Sequence, residues 1–195
     1  MHYVIIDLEA TCWEKGTSPD RMEIVEIGAV VLESSRGPIL RTFGEFVRPV
    51  RSPVLSEFCR RLTSIQQVDI DGAEPFPQVL RRLLDWIGPE PCTLCSWGAY
   101  DLGQLRMDCQ RHGIPLPSEF ERHINLKKEY SRLRGVKPTG MKGALLREGI
   151  PLEGTHHRGV DDAQNIAKLA LIILPWLESQ SPVGNASVEG GPPAE

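Results

Sequence analysis

Tyr3-Val4-Ile5-Ile6-Asp7-Leu8-Glu9 is a short apolar, β-branched run that ends in two carboxylates. The run has the composition of a strand buried on both faces, and residues 2–8 are expected to form it. Residues two apart on a strand point to the same side, so Asp7 and Glu9 aim at one point. Two like charges held together beside an apolar strand repel each other and lose hydration. A hard divalent cation would offset that cost, since carboxylate oxygens suit Mg²⁺ or Mn²⁺. A strand that merely runs out into a polar loop gives the same pair of acids. The rest of the chain has to decide between the two.

Beyond this stretch, the chain keeps to strands at first. Glu23–Glu33 carries Ile24, Val25, Ile27, Val30, Val31 and Leu32, a second strand, with Gly28 inside it marking a bulge or a close backbone approach. Gly37-Pro38 turns the chain into a third strand over Ile39–Val47. Short turns between the three predict an antiparallel meander. Ser56–Arg61 and Ser64–Val68 read as short helices with serine at each N-cap. Pro75–Ile87 has helical spacing of Phe76, Val79, Leu80, Leu83, Leu84 and Ile87. Cys92–Trp97 is a fourth strand, Asp101–His112 a helix closed by Gly113, and His123–Leu126 a short fifth strand. Lys127–Leu133, Met141–Glu148 and a long segment from Gly159 to about Leu177 complete the helices. Strands that first follow one another and then alternate with helices predict an α/β domain with a mixed sheet.

Two further sites hold acids. Ser96-Trp97-Gly98-Ala99-Tyr100-Asp101 follows the fourth strand and opens a helix. Asp101 there is either a plain N-cap or a group of the ligand site that α/β sheets carry beyond their strand ends. Thr155-His156-His157-Arg158-Gly159-Val160-Asp161-Asp162 leads into the last helix. Asp162 shares the buried stripe of Ile166, Leu169, Ile173 and Leu177, so it points inward. Asp161 falls on a more polar row and reads as a solvated acid favoured by the helix dipole. His157, in a loop with Gly154 and Gly159 and near the acids, is suited to act as a general base, with His156 as its rival.

Composition narrows the class. The chain has 195 residues, 41% of them hydrophobic and 25% charged, which fits one globular domain of residues 1–177. Residues 178–195, rich in Ser, Pro and Gly, have little to bury and are expected to be a disordered tail. No run of apolar residues is long enough to span a membrane, and no secretory signal is visible, so no membrane partner is expected. Five cysteines in no framework spacing suit a reducing, cytoplasmic setting. Cys92-x-x-Cys95 has the look of half a zinc ribbon, without a second pair, and reads better as strand core. The net charge of −4 argues against a general polyanion binder. Six bases against Glu129 between Lys127 and Lys142 nevertheless form a local strip that is either a phosphate-binding face or an ordinary solvated one.

Taken together, Asp7-x-Glu9, Asp101 and His157 followed five residues later by Asp162 resemble the three motifs of the DEDDh 3′–5′ exonucleases, over roughly residues 3–175. The phrases Asp7-Leu8-Glu9-Ala10-Thr11-Cys12, Ile24-Val25-Glu26-Ile27-Gly28, Phe58-Cys59, Phe76-Pro77 and Ser96-Trp97-Gly98-x-Tyr100-Asp101 look like the Eri-type exoribonuclease branch. So does His157-Arg158-Gly159-Val160-Asp161-Asp162-Ala163. The resemblance implies a ribonuclease H-like fold with a five-stranded sheet. It implies that Asp7, Glu9, Asp101 and Asp162 hold two Mg²⁺ or Mn²⁺ ions, with His157 as the base. It also implies single-stranded RNA, taken from its 3′ end, as the partner and substrate, with DNA as the alternative and a non-catalytic 3′-end-binding module as a remoter one. Leu8, Ala10, Thr11, Phe58, Leu62, Thr63 and Tyr100 would then meet the terminal nucleotide. One departure from the pattern is Leu62-Thr63-Ser64-Ile65, where many relatives have glycine in place of Ser64.

Overall fold

The structure, a computed structural model, describes residues 1–15 and 19–180. Strands β1 (His2–Ala10), β2 (Ile24–Leu32) and β3 (Ile39–Phe46) form the expected antiparallel meander. β4 (Cys92–Ser96) and β5 (His123–Asn125) add to the other edge in parallel, giving the order β3-β2-β1-β4-β5. β1 is therefore the central strand of a mixed sheet.

Alternation along β1 sorts its residues into two cores. Val4, Ile6 and Leu8 pack with α3 (Phe76–Ile87) and α4 (Tyr100–Arg111) on one face. Tyr3 and Ile5 pack on the other face, against α5 (Leu126–Arg134), α6 (Met141–Glu148) and α7 (Gly159–Gln180). By the same period of two, Asp7 and Glu9 continue the face that α7 covers. The apolar part of that face ends where the carboxylates begin.

β2 is buried along its whole length because both of its faces are covered. Gly28 stands opposite Asp7 on one side and Gly44 on the other, so two glycines lie in one row across the sheet. The first turn of α7 sits in that trough. A Cβ at Gly28 would fall 1.9 Å from the carbonyl carbon of Gly159, and one at Gly44 would fall 3.2 Å from Cβ of Val160. The close approach read from Gly28 in the sequence is a helix docked onto bare backbone.

Several boundaries differ from expectation for local reasons. Helix α1 (Glu57–Thr63) is capped as expected, with Ser56 Oγ accepting the Cys59 N–H at 2.9 Å. Ser64 does not start the next helix. It closes α1 in a left-handed conformation, φ 63°, with its N–H donating to the Arg60 carbonyl. Helix α2 (Gln67–Asp71) starts later, where the Gln66 N–H donates to Asp69 Oδ2 at 2.8 Å. The last helix runs three residues past Leu177, to Gln180. Glu178 accepts from Ser35 Oγ at 2.7 Å and from Tyr3 Oη at 3.2 Å, and it pairs with Arg36, so it belongs to the domain and not to the tail. The rest of the expected tail, residues 181–195, lies outside the described residues.

All five cysteines are free thiols, and Cys95 is fully buried in β4. Among the described residues neither Cys92 nor Cys95 joins a set of metal-ligating groups, and no helix is long and apolar enough to cross a membrane.

Candidate active site

Each acid reaches the site by a different structural device. β4 pairs with β1 only as far as Ile5, so beyond it the β1 backbone faces a crevice. Asp101, in the first turn of α4, fills this gap by accepting the Leu8 N–H at 3.2 Å. It is not the N-cap of α4, a position held by Ala99. Asp162, 4% exposed, enters from the first turn of α7 on the inward stripe. Ligand oxygens of Asp7, Glu9 and Asp162 lie within 4.8 Å of one another. Asp101 adds no ligand atom to that set, but its charge is felt at Asp7.

The electrostatics are those of an anion cluster out of water. Burial, then Asp101, Glu9, Asp162 and Glu26, hold the Asp7 carboxyl well above the usual carboxylate range. Glu9 is pushed up to about 8, first by burial and then by Asp162 and Glu26. Burial lifts Asp101 to about 6, against the pull of the Leu8 N–H, its own N–H and Ser96. Such groups are expensive to keep ionised unless a cation neutralises them. Three convergent oxygen donors fit a hard divalent cation.

The loop before α7 is anchored rather than free. Glu26, opposite Glu9 in the β1–β2 register and 2% exposed, accepts from Arg158 Nη2 at 3.1 Å and from the Gly159 N–H at 3.0 Å. Arg158 also lies over the Phe46 ring, 5.2 Å from its centroid. Asp161 differs from expectation: it is half-buried, and its Oδ2 accepts the Thr155 N–H at 2.7 Å, so it ties the loop together. Removing the Glu26 charge with Glu26→Gln should lower stability by about 2 kcal/mol, since Arg158 loses its charged partner. Thermal unfolding should show a drop of about 5 °C.

Both histidines meet Asp162. The His157 N–H donates to Asp162 Oδ2 at 2.9 Å, from a left-handed backbone with φ 65°. The imidazole nearest that carboxylate is that of His156, with Nδ1 2.9 Å from Oδ2. The two rings stack with centroids 4.0 Å apart. Burial and the neighbouring His156 lower the His157 pKa against the opposing effect of Asp162, which favours a neutral ring able to accept a proton.

These groups surround a cavity of about 420 Å³. Leu8, Ala10, Leu62 and Tyr100 line it, and the last two are more than a third exposed although apolar or aromatic. Thr11, Phe58 and Thr63 are not part of its lining. Thr11 is buried and accepts the Glu23 N–H, Phe58 lies under the Arg61 guanidinium, and the Thr63 hydroxyl bonds the Cys59 carbonyl to close α1. Met22, Trp97, Met141 and Lys142 line the cavity without having been singled out from the sequence. Trp97 stood inside a motif phrase and Lys142 inside the basic strip, which are the only signals that pointed to them.

Comparison with known proteins gives the family. The Exonuclease model RNase_T matches residues 4–170. ERI1 exoribonuclease 2 of Danio rerio is 34% identical over 97% of this chain, and 3'-5' exoribonuclease 1 of Homo sapiens is 35% identical over 87% of it. The chain spans only 38% and 51% of those two relatives. The nuclease domain of 3'hExo, described as a DEDDh family member bound to rAMP, superposes with a TM-score of 0.83 at 35% identity. That match covers 89% of this chain and 92% of the other. On these matches over most of its length, the chain belongs to the Exonuclease family, in its DEDDh, Eri-type branch, with the ribonuclease H-like fold.

Proposed function

We propose that this protein is a metal-dependent 3′–5′ exonuclease that degrades single-stranded RNA and releases nucleoside 5′-monophosphates. The observation that carries the reading is the convergence of Asp7, Glu9 and Asp162 oxygens at a cavity of nucleotide size, with Asp101 beside them. The similar nuclease domain of 3'hExo is described with rAMP, a ribonucleotide, and this favours RNA.

Asp7, Glu9 and Asp162 would hold one divalent cation, and Asp101 with Asp7 would help to hold a second, Mg²⁺ or Mn²⁺. Cations bound there supply the positive charge that offsets the phosphodiester and its leaving oxygen. Leu8, Ala10, Leu62 and Tyr100 pack on the terminal nucleoside and orient it. His157 takes a proton from the attacking water. The water oxygen then bonds to the last phosphorus, the bond to the 3′ oxygen of the preceding nucleotide breaks, and that oxygen takes a proton from solvent, to which His157 releases the one it holds. In this reading the catalytic unit runs from β1 to the end of α7 at Gln180. The unpaired cysteines fit a reducing, cytoplasmic setting.

Digestion of a 5′-labelled single-stranded RNA beside the same DNA, with Mg²⁺, Mn²⁺ or EDTA, tests the proposal. A metal-dependent ladder that shortens from the 3′ end, faster on RNA, is expected. A preference for DNA would reassign the substrate, and no cleavage of either would leave only a 3′-end-binding role. The two histidines separate by mutation. His157→Ala should lose about 10²–10⁴-fold in kcat, the usual contribution of a general base. His156→Ala should lose less than about tenfold, and the reverse order would move the base to His156.

A further inference from the structure

Among the described residues, Lys142 is the one lysine or arginine that lines the cavity, among side chains that include four carboxylates. Two members of the basic strip are paired elsewhere: Arg134 forms two hydrogen bonds with Glu148, and Arg132 pairs with Glu129 and lies over Trp176, while Lys127, Lys128 and Lys137 do not line the cavity. The Lys142 side chain is exposed and, among the described residues, makes no hydrogen bond or ion pair.

Its position is also unfavourable for the fold. Lys142 lies in the first turn of α6, where a cation opposes the helix dipole, and no acid stands in that turn to compensate. Packing does not explain it, since Met141, Ala144 and Leu145 make the buried face of the helix. The segment that leads into α6 is nonetheless fixed beside the site, where Trp97 Nε1 donates to the Thr139 carbonyl at 3.1 Å. A misplaced, unpaired cation held at the mouth of an acidic cavity makes sense if an anion arrives with the substrate.

The layers of the fold indicate which anion. Tyr100 comes from α4, on one face of the sheet, and Lys142 comes from α6, on the other. Asp7, Glu9 and Asp162 lie on the face that α6 shares with α7, and Asp101 comes from α4. If the terminal nucleoside rests against Leu62 and Tyr100, the preceding nucleotide leaves past α6. The geometry points to Lys142 as the residue that binds the phosphate on the 5′ side of the penultimate nucleotide. This inference rests on the exonuclease reading above. It makes Lys142 a determinant of how many phosphates the enzyme engages beyond the bond it cuts.

The test compares a diribonucleotide that carries a 5′-phosphate with the same diribonucleotide ending in a 5′-hydroxyl. The wild type should favour the phosphorylated one by about fivefold in kcat/KM, the value of a partly exposed charge pair. In Lys142→Gln the ratio should fall to near one, mainly through KM, and Lys142→Arg should restore it. Melting of Lys142→Gln should be unchanged or slightly higher, because a repulsion with the helix end is relieved. A wild-type ratio near one, an unchanged ratio in Lys142→Gln, or an equal loss on both substrates would overturn the assignment. If the wild type cleaves neither substrate with Mg²⁺, the exonuclease reading fails and the inference goes with it. Activity on both without discrimination defeats the inference alone.

Discussion

Gly28→Ala is expected to unseat the last helix and abolish activity. The added Cβ would fall 1.9 Å from the carbonyl carbon and 2.1 Å from the carbonyl oxygen of Gly159, distances no rotamer can relieve because both partners are backbone. Overpacking in cores usually costs about 1–3 kcal/mol when side chains can move. Here α7 itself has to shift, and more than about 4 kcal/mol is expected. Asp162 would leave the other acids together with the helix, so even a folded variant should retain under about 1% of wild-type turnover. Gly44→Ala is the control, since its Cβ would meet only the Val160 side chain at 3.2 Å, which has room to adjust. Melting curves and turnover for both variants check the prediction. A Gly28→Ala protein with wild-type stability and activity would mean that the trough is not what places α7.

The second large effect has opposite signs in activity and stability. Asp7→Asn should remove all measurable turnover, because Asp7 belongs to the converging set of oxygen donors and also feels every other acid of the site. In the metal-free protein the same change should raise the melting temperature. Asp7 and Glu9 both have carboxyl pKa values raised on folding. Such groups add stability that is fully present below their unfolded values, about 4, and that is lost as pH rises through the folded values, which for Glu9 means through about 8. Metal-free wild type should therefore lose stability from about pH 4 to 8, and the asparagine variant should lose less. At pH 7 the gain on substitution should be about 2 kcal/mol, or about 5 °C. Added Mg²⁺ or Mn²⁺ should reverse the order by stabilising the wild type more than the variant. Scanning calorimetry of both proteins, with EDTA and with either metal, reads out all four states. A variant that is less stable without metal would show that the acids are not in electrostatic conflict.

Much of this was legible because it depends on local periodicity. The alternation that buries Tyr3 and Ile5 also sets the direction of Asp7 and Glu9, and the 3.6-residue stripe of α7 selects Asp162 over Asp161. What local pattern could not show was where hydrogen bonds go across the fold. Asp161 reads as a solvated acid until the loop turns back and presents the Thr155 N–H. Thr63 and Thr11 look like free hydroxyls at a strand or helix end, yet each is taken up by neighbouring backbone. Ser64 resembles an N-cap by type, and only its left-handed backbone reveals a helix ending there. Lys142 carried no periodic signal, because a cavity wall is assembled from several elements and has no repeat in the chain.

The glycine trough has a consequence for the order in which the protein becomes active. Asp7 and Asp162 are 155 residues apart, and they meet only when the first turn of α7 settles onto Gly28. During synthesis the meander of β1–β3 is complete long before α7 leaves the ribosome. A nascent chain therefore carries two of its acids in place for most of its translation without the one that closes the set. Any activity that needs the full set of acids is therefore withheld until nearly the whole domain has been made.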